Sequence, residues 1–159
     1  MMLSSAGSAI ACSYPVPPTF EDVAPTAEHV VQLEYRQSRD GGMISTWIEG
    51  RVRVVETFRG DPKFTVIRFD NGWCGGIRLD VGHSYLVVTN ETDGQWQFAP
   101  GDKTVIDISL EYNPSRPDAV ETSRVLQRLL RALEGRGSFR DIPRTDYYLL
   151  TSPLPILPP

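Results

Sequence analysis

The side chains of this chain that could do chemistry are few and far apart. They are two cysteines, Cys12 and Cys74, two histidines, His29 and His83, and the aspartates Asp70, Asp80 and Asp93, which stand among turn-forming residues. Two cysteines and no third make a disulfide the leading reading. That bond would close a loop of about 62 residues and stabilise the fold by ~4 kcal/mol in the chain-entropy model. The alternative is a pair of reduced thiols serving as small buried hydrophobes. Neither histidine lies in an acidic or cysteine motif with metal-ligand spacing, so no metal site is expected. No Gly-x-Ser-x-Gly elbow is present, and no Ser-His-Asp arrangement can be built from these positions. Aspartates in turns commonly cap their own backbone, which fits solvation better than acid-base work. Gly72, Gly75 and Gly76 lack the lysine and the strand-to-helix context of a phosphate loop and suit a tight backbone path instead. The expectation is a protein that is not an enzyme and carries no cofactor.

Recognition chemistry is the remaining option. Trp47, Trp73 and Trp96 all lie beside strand-like runs, where aromatic residues usually enter the core. Trp73, flanked by Gly72 and Cys74, is the candidate for surface display. Arg59-Gly60-Asp61 is an adhesion-type tripeptide, but turn chemistry accounts for it without a receptor. The prolines from Pro153 onward suit an extended tail and lack a well-placed arginine for groove recognition.

Composition narrows the partner. A formal charge of -4 over 159 residues provides no general attraction for phosphate backbones, and the arginines are dispersed among acids, so nucleic acid is not the expected ligand. No apolar run approaches the length of a membrane helix. Ala9-Ile10-Ala11 before Cys12 fits the small-x-small pattern of a signal peptidase site. Residues 1–11 therefore read as a residual signal or a disordered tail. The expected location is secreted, periplasmic or cell-envelope, becoming cytoplasmic if the N-terminus stays unprocessed.

The elements that must position these residues can be read from periodicity. Tyr14 to Pro18 is an extended arm because its prolines remove donors and restrict their neighbours. Thr19 starts a short helix from Phe20 to Ala24, with Phe20 directed at the core. Strands are expected from His29 to Tyr35, from Ile44 to Phe58 with a bend at Gly50, from Phe64 to Phe69, from Tyr85 to Thr89, from Gln95 to Phe98 after an Asp93-Gly94 turn, and near Val105 to Ile108. Arg39-Asp40-Gly41-Gly42 reads as a turn. Five or six such strands indicate a small barrel or sandwich. Leu126, Leu129, Leu130 and Leu133 then predict one amphipathic helix of about 16 residues, with a Ser115/Asp118 capping box and a stop at Gly135. Tyr147 to Leu150 is a further strand or docking segment, and 151–159 a Pro-rich tail.

Cys12, the segment Phe20 to Val31, Val52-Arg53-Val54-Val55-Glu56-Thr57-Phe58-Arg59-Gly60-Asp61 and the stretch from Cys74-Gly75-Gly76 through Val81-Gly82-His83-Ser84-Tyr85-Leu86-Val87 stand in an order that resembles the netrin-like family. That family includes the tissue inhibitors of metalloproteinases and bacterial exported proteins. The resemblance covers about Cys12 to Ile108. It implies a mainly β, OB-like five-stranded Greek-key barrel with a C-terminal amphipathic helix, forming one domain over 12–150. It also implies a Cys12–Cys74 disulfide. In the inhibitor branch, the α-amino and carbonyl groups of the processed N-terminal cysteine chelate a protease zinc. The chain carries Tyr14 where relatives often have a second cysteine. The expected function is an exported, non-enzymatic interaction or structural module with a protein partner. The alternative is a metalloprotease inhibitor acting through Cys12, and the candidate partner-binding residues are Cys12, Ser13, Tyr14 and Trp73.

Overall fold

Six strands form one sheet that closes on itself in the computed structural model, which describes residues 16–40, 47–72, 76–112 and 115–143. They are β1 (His29–Asp40), β2 (Trp47–Arg59), β3 (Val66–Asp70), β4 (Ser84–Thr92), β5 (Gln95–Phe98) and β6 (Val105–Asp107). The order β1-β2-β3-β5-β4 returns to β1 through an antiparallel β1–β4 ladder, and β3–β5 is the parallel contact. This is an OB-like, five-stranded Greek-key barrel.

Side-chain alternation assigns two cores to the two faces of this wall. Val31, Leu33 and Tyr35 on β1 point into the barrel with Tyr85 and Val87 of β4, Ile67 and Phe69 of β3, and Phe98 of β5. Val30, Leu86 and Val88 point the other way, into a layer formed with Phe20, Val125, Leu126 and Leu129. β4 is therefore buried on both faces from Ser84 to Thr89. Its continuous apolar run, Tyr85-Leu86-Val87-Val88, follows from that position, since a strand covered on both sides does not alternate.

β5 and β6 lie end to end along β4, opposite Thr89–Thr92 and Tyr85–Val87 respectively. Residues 99–104 leave the sheet between them. Ala99 still donates to Val88 O at 3.0 Å, and the Thr104 hydroxyl is shared between the carbonyls of Ala99 and Gly101, each 2.7 Å away. A Cβ on Gly101 would stand 3.2 Å from Pro17 Cβ, so the N-terminal arm passes beside this excursion.

The helix α1 (Phe20–Val23) forms where expected; the Asp22 carboxylate accepts from Thr19 N–H at 2.9 Å, and Phe20 is fully buried. The C-terminal helix is two pieces rather than one, α2 (Ala119–Thr122) and α3 (Arg124–Leu133). Ser123 breaks it. Its backbone is extended at ψ 116°, and its buried hydroxyl accepts from Leu126 N–H at 3.3 Å, making it the N-cap of α3. Serine offers the backbone this alternative to helix continuation. The expected Ser115/Asp118 box is not formed: the Asp118 carboxylate takes the Arg116 guanidinium at 2.7 and 2.9 Å instead. That hydrogen bond holds the Asp118 carboxyl below its ordinary range. The leucine face packs on the barrel as expected, with Leu126 and Leu129 fully buried.

Other expectations shift. Arg39 and Asp40 belong to β1 rather than to a turn, and β3 begins at Val66 rather than Phe64. The irregularities of the β1–β2 ladder fall where its register skips Arg36, Val55 and Phe58, not at Gly50. Gly50 is small because the Tyr35 ring occupies the space a Cβ would need. Tyr147 to Leu150 and the Pro-rich tail lie outside the described residues.

Candidate functional site

Cys12, Ser13, Tyr14, Trp73 and Cys74 also lie outside the described residues, but the ground on either side of residues 73–75 is defined. The chain leaves β3 at Asp70 and returns beside it, with Ile77 N–H donating to Asp70 O at 2.7 Å and Gly76 N–H to Gly72 O at 3.0 Å. The Asp70 carboxylate caps Gly72 N–H at 2.8 Å, in line with the reading of turn aspartates. A Cβ on Gly76 would collide with the backbone of Asn71 and Gly72, so the neck closes only with glycine there. The tight path expected of these glycines is seen at Gly72 and Gly76, while Gly75 lies outside the described residues.

Beside this neck, at the upper end of the barrel, is a pocket of about 350 Å³. Tyr35, Ile48, Phe69, Ile77 and Leu79 line it, with the exposed Asn71 and Arg78 at its lip. Its volume falls at the small end of ligand sites, and an apolar floor with two polar groups at the mouth suits an inserted side chain. Neighbouring backbone is firmly held: Tyr35 donates to His83 O at 2.9 Å, Gly82 donates to Tyr35 O at 2.7 Å, and the Tyr85 hydroxyl accepts from Asp80 N–H at 2.7 Å.

The lower end is closed. Trp96 meets His29 edge-on at 5.1 Å and stacks on Phe64 at 5.0 Å. Gly60, at φ 77°, lies directly against the His29 ring. Arg59 Nη1 donates to the carbonyls of Ala24, Pro25 and Ala27 at 2.8, 3.1 and 3.1 Å. Arg59-Gly60-Asp61 is thus folded into the molecule through its first two residues. His29 belongs to this plug.

His83 does have an acidic neighbour that sequence spacing hides: its Nδ1 is 2.8 Å from Asp107 Oδ2. The other Asp107 oxygen accepts from Ser109 N–H at 2.8 Å, and Ser109 Oγ accepts from Ser84 N–H at 2.9 Å. These contacts join the turn before β4 to the end of β6. Ser109 is committed to backbone, which gives this histidine–aspartate pair a fastening role. Among the described residues no three His, Cys, Asp or Glu side chains gather as a metal site.

The outer wall carries the remaining polar feature. The Arg68 guanidinium lies over the Trp47 ring, 4.9 Å from its centroid, and Trp47 is 37% exposed. Trp96, by contrast, is half-buried in the lower plug. Further round, an open groove of about 1070 Å³ runs between β2 and residues 62–66. Arg36, Arg51, Arg53 and Lys63 rim it, over a floor that includes Val54 and Phe64. Glu34 holds two of these cations, with Arg53 Nη2 at 2.6 Å and Arg36 Nε at 3.0 Å. Nothing in the sequence flagged this groove, because its rim is assembled from two strands and the β2–β3 connection. Compared with known proteins, the chain matches no family model and no curated protein.

Proposed function

We propose that this protein is an exported, non-enzymatic interaction module of netrin-like type that meets a protein partner with the upper end of its barrel. The observation that carries the reading is the apolar pocket beside the Asp70–Ile77 neck, an opening suited to an inserted partner side chain on an otherwise tightly fastened scaffold. Trp73 and Cys74 fall in the sequence between Gly72 and Gly76, and the resemblance links Cys74 to Cys12. A photo-crosslinking residue at Arg78 is expected to capture one defined protein in the native host, while the same group at Arg128, exposed on α3, captures none. Equal yields at both positions would end this reading.

A second reading, inhibition of a metalloprotease, rests on Ala9-Ile10-Ala11 preceding Cys12 and needs the free amine of a processed Cys12. Non-reducing intact mass and N-terminal sequencing of the native protein test it. A chain beginning at Cys12 and lighter by the two hydrogens of a disulfide supports export and makes a protease panel decisive. A chain retaining Met1 with both thiols free removes both inhibition and export.

A further inference from the structure

β2 is paired on both edges only at its start. β3 covers Trp47 to Arg51, and one further bond, Val52 N–H to Thr65 O at 2.9 Å, ends that ladder. From Arg53 to Arg59 the strand pairs with β1 alone among the described residues. The connection to β3 swings away, because Arg59 and Gly60 are drawn under the barrel by the three carbonyls and the His29 ring, and Phe64 is drawn onto Trp96. The groove lies where the two paths separate.

We propose that the edge of β2 opening at Arg53 is a strand-addition site for an extended, acidic peptide segment of a partner protein. An unpaired strand edge supplies main-chain donors and acceptors to an incoming strand, and side-chain pockets beside it select the sequence. Here Val54 and Phe64 would take apolar residues on one side of the incoming strand, while Arg51, Arg53 and Lys63 face its acidic residues. The four rim cations outnumber Glu34 and Asp61, their carboxylate partners, on a chain whose overall charge is -4. The same charges select against a second copy of this chain, since antiparallel pairing of two such edges would set arginine against arginine. The Arg51 guanidinium has no hydrogen-bond or ionic partner among the described residues, which leaves it available for an incoming carboxylate. This inference concerns a surface separate from the pocket at the upper end and does not depend on it.

The test uses the full chain and a fluorescent, N-acetylated peptide alternating glutamate and valine. Saturable binding that weakens with salt is expected, with no binding of the lysine–valine counterpart. Arg51→Glu, at an exposed position, is expected to weaken binding roughly tenfold or more while leaving the melting temperature unchanged. Methylation of alternate peptide amides should abolish binding in one of its two registers, and bound peptide should slow hydrogen exchange at Val54, whose amide follows that of Val52 onto the open edge. Equal binding of the lysine–valine peptide, indifference to amide methylation in both registers, or no binding by the unaltered chain would each overturn the proposal. Crosslinking at Arg78 can succeed or fail whatever the peptide does, so the two readings stand or fall separately.

Discussion

At the lower end of the barrel Gly60 lies against the His29 imidazole, Phe64 stacks on Trp96, and Arg59 ties down three carbonyls. At the upper end Tyr35, Phe69 and Ile77 stand around a pocket of about 350 Å³ with Asn71 and Arg78 at its lip. The same strands supply both ends, so strand propensity does not set the difference. The connections do. The β2–β3 connection is folded underneath and used as a stopper, whereas the β3–β4 connection is pinched into a neck beside the opening. Both ends are fastened by hydrogen bonds, but only the upper one leaves a pocket between its side chains, a division expected when binding groups are held on a fixed scaffold.

The contrast can be broken most severely at Gly60. Gly60→Ala places a Cβ on the His29 ring and the Glu28 carbonyl at a positive φ, and a loss of about 3 kcal/mol or more in urea unfolding is expected. Arg59→Ala strips three carbonyls of a charged donor, two of those bonds being partly buried, and should cost about 2 kcal/mol by the same measurement. Midway between the ends, Gln32 is fully buried opposite Leu86, with neither amide atom hydrogen-bonded among the described residues. Gln32→Met should raise stability by about 1 kcal/mol, and a loss would mean that the amide has a partner. At the open end Leu79→Ser, on a partly exposed residue, should cost less than about 1 kcal/mol yet abolish the crosslink at Arg78. A cost matching that of Gly60→Ala would erase the distinction between the ends.

The smallest effect belongs to neither end. Asp118 is ionised more readily in the folded chain than in the unfolded one, because Arg116 hydrogen-bonds its carboxylate. A depressed folded-state value contributes stability above the unfolded value, near 3.9, and that contribution is lost as pH falls through the folded value. Arg116→Ala should move the Asp118 carboxyl titration upward by NMR and remove this slight acid sensitivity, leaving neutral-pH binding unaltered.

Local pattern made much of the fold legible. Phe20 behind Thr19, the Asp93-Gly94 turn and the leucines of α3 are written within a few residues of one another, and each forms where the pattern puts it. What the sequence conceals is decided across distance. The leucines begin at Leu126 and give no sign that a buried hydroxyl at Ser123 would cap a new helix. His83 and Asp107 are 24 residues apart and meet only because β4 and β6 pair. Arg59-Gly60-Asp61 looks like a displayed tripeptide until its arginine is seen to need the Ala24–Thr26 turn. The apolar pocket and the β2 edge, which from Arg53 pairs with β1 alone among the described residues, are likewise products of how connections diverge, for which neither composition nor period has a sign.

β4 meets β1 along one edge and β5 and β6 along the other, and both of its faces are covered from Ser84 to Thr89. No part of the molecule can open without the rest unless it leaves this strand in place. Its amides from Tyr85 to Val88 should therefore exchange with solvent only through global unfolding, while the β2 edge and the split C-terminal helix open earlier, as smaller cooperative units. Because β1 must find β4 across the intervening β2 and β3, that slow core also commits the chain to a late, non-local closure, and the barrel should fold on the millisecond-to-second scale of high-contact-order β proteins.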